Sequence, residues 1–335
     1  MEATHEEVMR VCAVCHAYPP ADLFPKAKWK AEVDRGFGFL DRAGLKLDAP
    51  PVASVVAYYE NRAPDALPTL AELDAPWTDP VQFERKSFAS ADAPGVAPGI
   101  ANVQFLPLSG KQKLDVVACD MLNGKVFLLK PYEPSPELRV LCDLVPNPAH
   151  AEVVDLNADG INDLLIANLG SPTPTEKRLG SVVWLKGTAQ GTYVPITLAD
   201  DLGRVADVQA ADFDGDGDLD LVAAVFGWLA VGEVLYLENR TTDPERPMFV
   251  ATVIDQRHGA IHVPIADLNH DGRPDFVALI SQEFETIVAF LNTGPGKFEP
   301  HVIYAAPHPA FGSSGIQLVD LDQDGDLDLV LAGYA

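Results

Sequence analysis

The sequence is poor in basic residues, in cysteine and in long apolar runs. It has 24 Lys and Arg against 49 Asp and Glu, and this charge of −25 argues against nucleic acids and anionic membrane surfaces as partners. The longest apolar run, residues 221–232, is shorter than the roughly 18 residues that cross a bilayer. Four cysteines are too few for a disulfide scaffold. A hydrophobic content of 47% nevertheless predicts a globular chain with a packed core.

Residues 12–16, with the sequence CAVCH, have the spacing of a c-type haem attachment site. Two cysteines on one helical turn can form thioethers with the haem vinyl groups, and the histidine after them can bind the iron. A zinc site would need a second cysteine pair, whereas Cys119 and Cys142 each stand alone. A thioredoxin-like pair would need a βαβ pattern, which is absent here. We therefore predict covalent haem c on Cys12, Cys15 and His16.

Haem attachment takes place outside the cytoplasm, but residues 1–10 are charged and lack the apolar core of a signal peptide. We therefore expect a periplasmic or extracellular protein whose leader is absent from this sequence. In an oxidising compartment Cys119 and Cys142 can pair, and buried free thiols are an equal alternative.

Three short helices are predicted around the CAVCH segment. Thr4 and Glu7 have the spacing of a capping box before the first helix. A second helix is expected over 26–35, and a third begins after Pro50-Pro51. Together with the haem motif, residues 1–65 resemble a small class I cytochrome c domain. The distal methionine of such domains has no counterpart, so the iron is five-coordinate, or bound by a lysine such as Lys46, or by a histidine from elsewhere.

A nine-residue motif occurs four times in the rest of the chain, and successive copies start 53–57 residues apart. The copies are DLNADGIND at 155–163, DFDGDGDLD at 212–220, DLNHDGRPD at 267–275 and DLDQDGDLD at 320–328. Asp or Asn occupies positions 1, 3 and 5, Gly occupies position 6, and Asp occupies position 9. Oxygen ligands at this spacing suit a hard cation, with position 7 adding its carbonyl.

An EF-hand would place Glu at position 12 between two helices, but here that position is apolar and strands flank the loop. Calcium is favoured over magnesium because the ligand number is high, and solvated Asp-Gly turns without metal are the alternative. Up to four Ca²⁺ ions are predicted. The predicted ligands are Asp155, Asn157, Asp159, Ile161, Asp163, Asp212, Asp214, Asp216, Asp218, Asp220, Asp267, Asn269, Asp271, Arg273, Asp275, Asp320, Asp322, Asp324, Asp326 and Asp328.

The motif and its period resemble the FG-GAP/VCBS repeat family, whose repeats form blades of an integrin-like β-propeller. The resemblance implies a mainly β fold with a degenerate blade at 99–146, blades at 147–203, 204–257 and 258–310, and a partial blade at 311–335. That is about four and a half blades of the roughly seven in such rings. Either the sequence is truncated, which we favour, or a partner completes the ring. Residues 66–98 form a Pro-rich linker in which 81–88 is a candidate ring-closing strand.

The position five residues before each loop is polar in the first three copies, where it is His150, Asp207 and His262. In the last copy it is Gly315. First strands of propeller blades line the central channel, so His150, Asp207 and His262 are expected near one another. They are candidates for a transition-metal site, for an axial haem ligand or for a ligand-binding site. The alternative is that they satisfy channel-facing backbone by hydrogen bonding.

The leading functional hypothesis is an exported c-type haem protein that transfers one electron, with the calcium-stabilised propeller as docking platform for a redox or other protein partner. No catalytic constellation is recognised. Two alternatives are an extracellular binding or adhesion propeller with a secondary haem domain, and an open-site haem enzyme or sensor.

Overall fold

The computed structural model describes residues 2–14, 18–43, 46–68, 84–88, 97–110, 112–244, 246–306 and 311–333. The chain divides into two compact units, Met1–Phe88 and Ala89–Ala335. The first unit contains helices and the second contains strands. The predicted mainly β fold with a small helical N-terminal region is therefore confirmed. No helix within the described ranges is both long and apolar enough to cross a membrane.

The helical unit has three α-helices, α1 (His5–Cys12), α2 (Trp29–Ala43) and α3 (Val52–Glu60), with 3₁₀ turns at Ala21–Leu23 and Lys26–Lys28. The predicted capping box begins α1: the Glu7 N–H donates to Thr4 Oγ1 at 3.2 Å, and the Thr4 N–H donates to the Glu7 carboxylate at 2.7 Å. Both interactions are local, which is why they could be read from the sequence.

Helix α2 differs from the prediction of 26–35, because it starts later and continues through Gly36 and Gly38 to Ala43. Its residues Trp29, Val33 and Leu40 are all buried, so packing holds the helix together across the glycines. In the core of this unit the Trp29 indole stacks on the Tyr59 ring with centroids 3.8 Å apart. Aromatic packing therefore fastens α2 to α3.

Within the described residues, the second unit contains five antiparallel sheets in chain order. Sheet 1 comprises β1 (Ile100–Leu106), β2 (Asp115–Asp120), β3 (Lys125–Leu129) and β4 (Arg139–Cys142); sheet 2 comprises β5 (Pro148–Val154), β6 (Asp163–Asn168), β7 (Gly180–Gly187) and β8 (Tyr193–Leu202); sheet 3 comprises β9 (Val205–Ala211), β10 (Asp220–Val225), β11 (Glu233–Asn239) and β12 (Phe249–Asp255). Sheet 4 comprises β13 (Ala260–His262), β14 (Ile265–Ala266), β15 (Asp275–Ile280), β16 (Thr286–Gly294) and β17 (Lys297–Ala305), and sheet 5 comprises β18 (Ser313–Val319) and β19 (Asp328–Gly333).

Consecutive sheets pack face to face, and their middle strands are buried on both sides. In β6, Leu164 and Ile166 belong to the core shared with sheet 1, whereas Leu165 and Ala167 belong to the core shared with sheet 3. The period-two alternation of a strand thus supplies two cores at once, which explains why these strands are continuously apolar. A closed propeller is not shown by the described residues, and the predicted number of blades stays a prediction.

The linker and the two remaining cysteines can also be located in part. Residues 84–88 carry no regular secondary structure, and 81–83 lie outside the described residues, so the ring-closing strand stays a prediction. Cys119 and Cys142 face Val126 from its two sides in the sheet register. Two strand spacings are about 9.6 Å, beyond the reach of a disulfide. Both thiols are free and buried, and burial raises the pKa of Cys119 to about 12.

Candidate metal centres

The four predicted calcium loops share one backbone conformation. Each loop connects the first strand of its sheet, or β14 in sheet 4, to the next strand. The fourth and sixth residues of every loop have positive φ, between 54° and 100°. Glycine occupies the sixth position in all four, as left-handed backbone favours. The same turn is therefore built four times from four different sequences.

Side chains at positions 1 and 3 are turned into each loop by backbone hydrogen bonds. The carboxylate at position 1 accepts the N–H of the glycine at position 6 at distances of 2.9–3.2 Å. The side-chain oxygen at position 3 accepts the N–H of position 5 at 3.0–3.4 Å. The residues at position 1 are Asp155, Asp212, Asp267 and Asp320. These bonds hold oxygen atoms around one centre before any cation binds.

Carboxylates crowd most closely in the second and fourth loops. One oxygen each of Asp212, Asp214 and Asp216 lie within 4.8 Å of one another, and so do those of Asp320, Asp322 and Asp328. The pKa of Asp218 rises to about 6 because of burial and the neighbouring carboxylates. Asp218 Oδ1 and Asp320 Oδ1 are buried without a hydrogen-bond partner. An all-oxygen donor set under mutual repulsion fits a hard divalent cation such as Ca²⁺.

The aspartate at position 9 has an additional, architectural role. In all four loops one of its oxygens accepts the N–H of the residue at position 2, at 2.9–3.2 Å. In sheets 2 to 4 its other oxygen accepts a backbone N–H from the strand that follows its own. The donors are Gly187 on β7, Asn239 on β11 and Asn292 on β16. Asp163, Asp220 and Asp275 are at most 1% exposed. Their carboxylates therefore lock the loop onto the sheet.

Asp115 is the equivalent residue of the degenerate first repeat, and the sequence analysis did not single it out. It is fully buried; its Oδ2 accepts the Ser109 N–H at 2.7 Å and its Oδ1 accepts the Tyr132 hydroxyl at 2.8 Å. Asp115 is position 9 of a nine-residue loop that starts at Pro107, so aligning this loop with the other four would have revealed it. Positions 1, 3 and 5 of that loop lack carboxylates, so the lock exists without a cation site.

The third loop contains a cationic side chain of its own. The Arg273 guanidinium binds the Asp271 carboxylate, and its Nε donates to the Asn292 carbonyl at 2.8 Å. Arg273 was predicted to offer only its backbone carbonyl. Its side chain already neutralises part of the charge that a calcium ion would meet.

The three polar residues on the first strands of sheets 2, 3 and 4, namely His150, Asp207 and His262, come together as expected. His150 on β5 has its Nε2 3.2 Å from Asp207 Oδ1 on β9, and His262 on β13 has its Nδ1 3.5 Å from Asp207 Oδ2. Burial alone would lower the pKa of His150, but the Asp207 and Glu152 carboxylates outweigh it and raise that pKa. Burial opposes ionisation of Asp207 as well, yet the two histidines hold its pKa well below the usual range.

The haem attachment segment is described only in part. Cys12 is the last residue of α1 and packs, partly buried, against the core formed with Tyr59 and Trp29. Burial raises the pKa of its thiol, against a hydrogen bond with Tyr59 that lowers it. Cys15 and His16 lie outside the described residues. Covalent haem c on this segment therefore stays a prediction from the sequence.

A cavity of about 200 Å³ lies beside the first two calcium loops. Asp155 and Asn157 line it from one loop and Asp218 lines it from the next, while Trp184 and Phe249 contribute apolar surface. Cations bound in these loops would therefore lie close to whatever enters the cavity.

Comparisons with known proteins bear on the strand-rich unit. Residues 155–223 and 267–331 match the model of the FG-GAP-like repeat family. No curated protein sequence matches the chain. Among solved structures, the V. cholerae biofilm matrix protein Bap1 is similar at 17% identity and a TM-score of 0.41, over 73% of this chain and 37% of Bap1. The chain thus spans little more than a third of that protein. The family match does not include residues 1–65, and their cytochrome c-like interpretation stays a hypothesis. The match establishes that this chain contains FG-GAP-like repeats between residues 155 and 331.

Proposed function

We propose that the strand-rich unit is a calcium-stabilised binding module of a protein that works outside the cytoplasm. The observation that carries this proposal is the fourfold recurrence of one loop conformation with oxygen ligands turned inward. Calcium would neutralise the crowded aspartates and connect the two strands that flank each of the four loops. This is the alternative of the sequence analysis rather than its leading hypothesis.

The three residues at positions 4 to 6 of each loop are solvent-exposed, which points to modest affinity for calcium. Calcium sites of extracellular modules have dissociation constants on the order of 10⁻⁴–10⁻³ M, a concentration found outside cells. The exposure therefore supports a periplasmic or extracellular location. The cavity between the first two loops is the proposed contact region for a partner, because bound cations would offer it positive charge in an otherwise acidic surface.

Thermal unfolding of the full chain tests the calcium assignment. We expect EDTA to lower the Tm and CaCl₂ to restore it, because a ligand that binds only the folded state stabilises it by about 2.7 kcal/mol at a hundredfold excess over its Kd. MgCl₂ at the same concentration is the control and should restore less, since Mg²⁺ demands a smaller octahedral site. A Tm that does not respond to EDTA would contradict the proposal.

A second proposal concerns the helical unit: covalent haem c on residues 12–16 that transfers one electron to a partner. Its support is Cys12 at the end of a capped helix, packed beside the aromatic core. When bound, the haem would supply reversible one-electron redox chemistry. The residues of this unit would anchor the ring and limit its contact with water.

The visible spectrum of protein expressed with haem-attachment machinery tests this second proposal. A Soret band that survives denaturation and disappears in a Cys12→Ser, Cys15→Ser variant is expected. A ferrous spectrum unchanged by CO supports electron transfer, whereas CO binding supports a sensor or an open-site enzyme. The absence of a Soret band would overturn haem binding and leave the calcium proposal standing.

A further inference from the structure

The first strands of sheets 2, 3 and 4, which are β5, β9 and β13, bring two imidazoles and a carboxylate together away from the four predicted calcium loops. His150, Asp207 and His262 each lie five residues before a loop, which is about 16 Å along an extended strand. His150 and Asp207 are 8% and 2% exposed, and His262 is 30% exposed. The cluster is therefore buried on one side and accessible on the other.

The distances within the cluster are close to those between ligands of one metal ion. Four donors bound tetrahedrally at about 2.0–2.1 Å lie roughly 3.3 Å from one another. His150 faces Asp207 Oδ1 at 3.2 Å and His262 faces Asp207 Oδ2 at 3.5 Å, and one donor atom from each of the three residues lies within 4.8 Å of the others. A small approach of these side chains would therefore let them coordinate one ion.

A hydrogen-bonded ion pair accounts poorly for the surroundings of His150 Nε2. An imidazole nitrogen has one lone pair or one proton and so favours one in-plane partner. Nε2 of His150 nevertheless has polar side-chain atoms of Gln104 at 3.1 Å and Gln209 at 3.4 Å, in addition to Asp207. The Glu152 carboxylate is 3.8 Å away. More polar atoms therefore surround His150 Nε2 than the one in-plane hydrogen bond it can make.

The elements around the cluster provide support and access. Asp207 Oδ2 accepts the Val263 N–H at 3.0 Å, an outer interaction that fixes the carboxylate in place. On the fourth inner strand, Gly315 holds the equivalent position, and a Cβ there would lie 3.8 Å from His262 Nε2. The absence of a side chain at this position leaves His262 open on that side.

We propose that His150, Asp207 and His262 bind one divalent transition-metal ion of the Zn²⁺ class. Glu152 lies beside the ion, and a fourth coordination position opens toward Gly315. Imidazole ligands favour zinc and other late first-row ions, whereas the all-oxygen loops favour calcium, so the two kinds of site select different metals. The ion would join side chains of three consecutive repeats. This inference is independent of the calcium proposal.

Zinc binding by the full chain, measured in excess CaCl₂, tests the inference. After stripping with EDTA and return of calcium, Zn²⁺ is titrated calorimetrically and the zinc retained after gel filtration is measured. We expect wild type to retain about one zinc ion more per chain than the His262→Gln variant, since three protein ligands are the minimum of a stable zinc site. His262→Gln is chosen because its partly exposed side chain is the least costly to replace.

His258→Gln is the matched control. His258 lies just before β13 and is buried, and its ring nitrogens face Gln282 at 2.9 Å and Glu283 at 3.3 Å, outside the cluster. This control should keep the wild-type zinc content. Zinc bound by residues 12–16 in chains without haem would be common to all variants and cancels in the difference. Equal zinc retention by wild type and His262→Gln would overturn the inference and leave a hydrogen-bond network only.

Discussion

The loop at 107–115 and the loop at 212–220 occupy the same place in the first and third repeats but carry different chemistry. Each connects the first two strands of its sheet, and each ends in a buried aspartate, Asp115 or Asp220, that accepts a tyrosine hydroxyl at 2.8 Å and a loop N–H. Only the second loop has carboxylates at positions 1, 3 and 5. The aspartate at position 9 therefore serves the fold in both loops, whereas the aspartates at positions 1, 3 and 5 of the loop at 212–220 are available to a cation.

The largest effect is expected from removing the lock itself. Asp220→Ala leaves two backbone N–H groups and the Tyr236 hydroxyl buried without partners. At about 1–3 kcal/mol for each buried unsatisfied group, we expect a loss of at least 3 kcal/mol in the free energy of unfolding. Urea unfolding should show this loss both in calcium and in EDTA.

Asp115→Ala is the matched variant in the loop without cation ligands. It should also destabilise the protein, although no calcium site is touched, because it removes the acceptor of Ser109 and Tyr132. The loss should be smaller than for Asp220→Ala, since both donors belong to solvent-exposed residues. If Asp115→Ala were harmless, the aspartate at position 9 would matter through calcium alone and the comparison would fail.

A smaller effect, confined to calcium-containing buffer, is expected from Asp214→Ala. This change removes the position-3 ligand and should lower the bound calcium by about one ion, with a loss of roughly 1–3 kcal/mol in stability. In EDTA the same change should be neutral or stabilising, because it relieves repulsion with Asp212 and Asp216. Ser109→Ala, at position 3 of the loop at 107–115, is the control and should leave bound calcium unchanged.

The four calcium loops should also differ from one another in affinity. The second and fourth carry five carboxylates each, the first and third carry three, and the third is further neutralised by Arg273. We therefore expect Arg273→Gln to raise the affinity of the weakest site roughly two- to five-fold, as exposed ion pairs contribute up to about 1 kcal/mol. Calcium titration followed by calorimetry measures it, and Arg240→Gln, whose guanidinium pairs with Glu238 outside the loops, serves as control. An unchanged weakest site would show that Arg273 does not compete.

The smallest effect concerns the thiols of sheet 1. With a pKa raised to about 12, Cys119 remains protonated at pH 8, and only the thiolate reacts with disulfide reagents, so labelling should be slow in the folded protein. Because the loop of sheet 1 holds no cation ligands, EDTA should accelerate this labelling little, whereas Asp115→Ala should accelerate it strongly. Mass spectrometry of Cys119 and Cys142 after brief labelling distinguishes them from Cys12 and Cys15. Strong acceleration by EDTA would show that calcium in other loops also holds sheet 1 closed.

Elements whose interactions are local agree with the sequence prediction, whereas the end of helix α2 and the second role of the position-9 aspartates depend on distant contacts and were not predicted. The capping box of Thr4 and Glu7 and the four loops involve partners within nine residues, so spacing alone reveals them. Helix α2 runs past its predicted end because Leu40 finds a core. The double role of Asp220 needs Asn239 and Tyr236, which no pattern within the loop indicates.

The sequence by itself determined which residues can bind a cation, where the repeats begin and that the fold is mainly β, because short polar loops between strands encode all three within a few residues. Only the tertiary structure decided that Cys119 and Cys142 cannot pair, since β3 lies between their strands. The resemblance to propeller blades had placed His150, Asp207 and His262 near one another, and the tertiary structure decided how closely they approach through the packing of consecutive sheets. The Asp115 lock belongs to this second group. Its meaning appears only when the buried acceptor is seen with its donors.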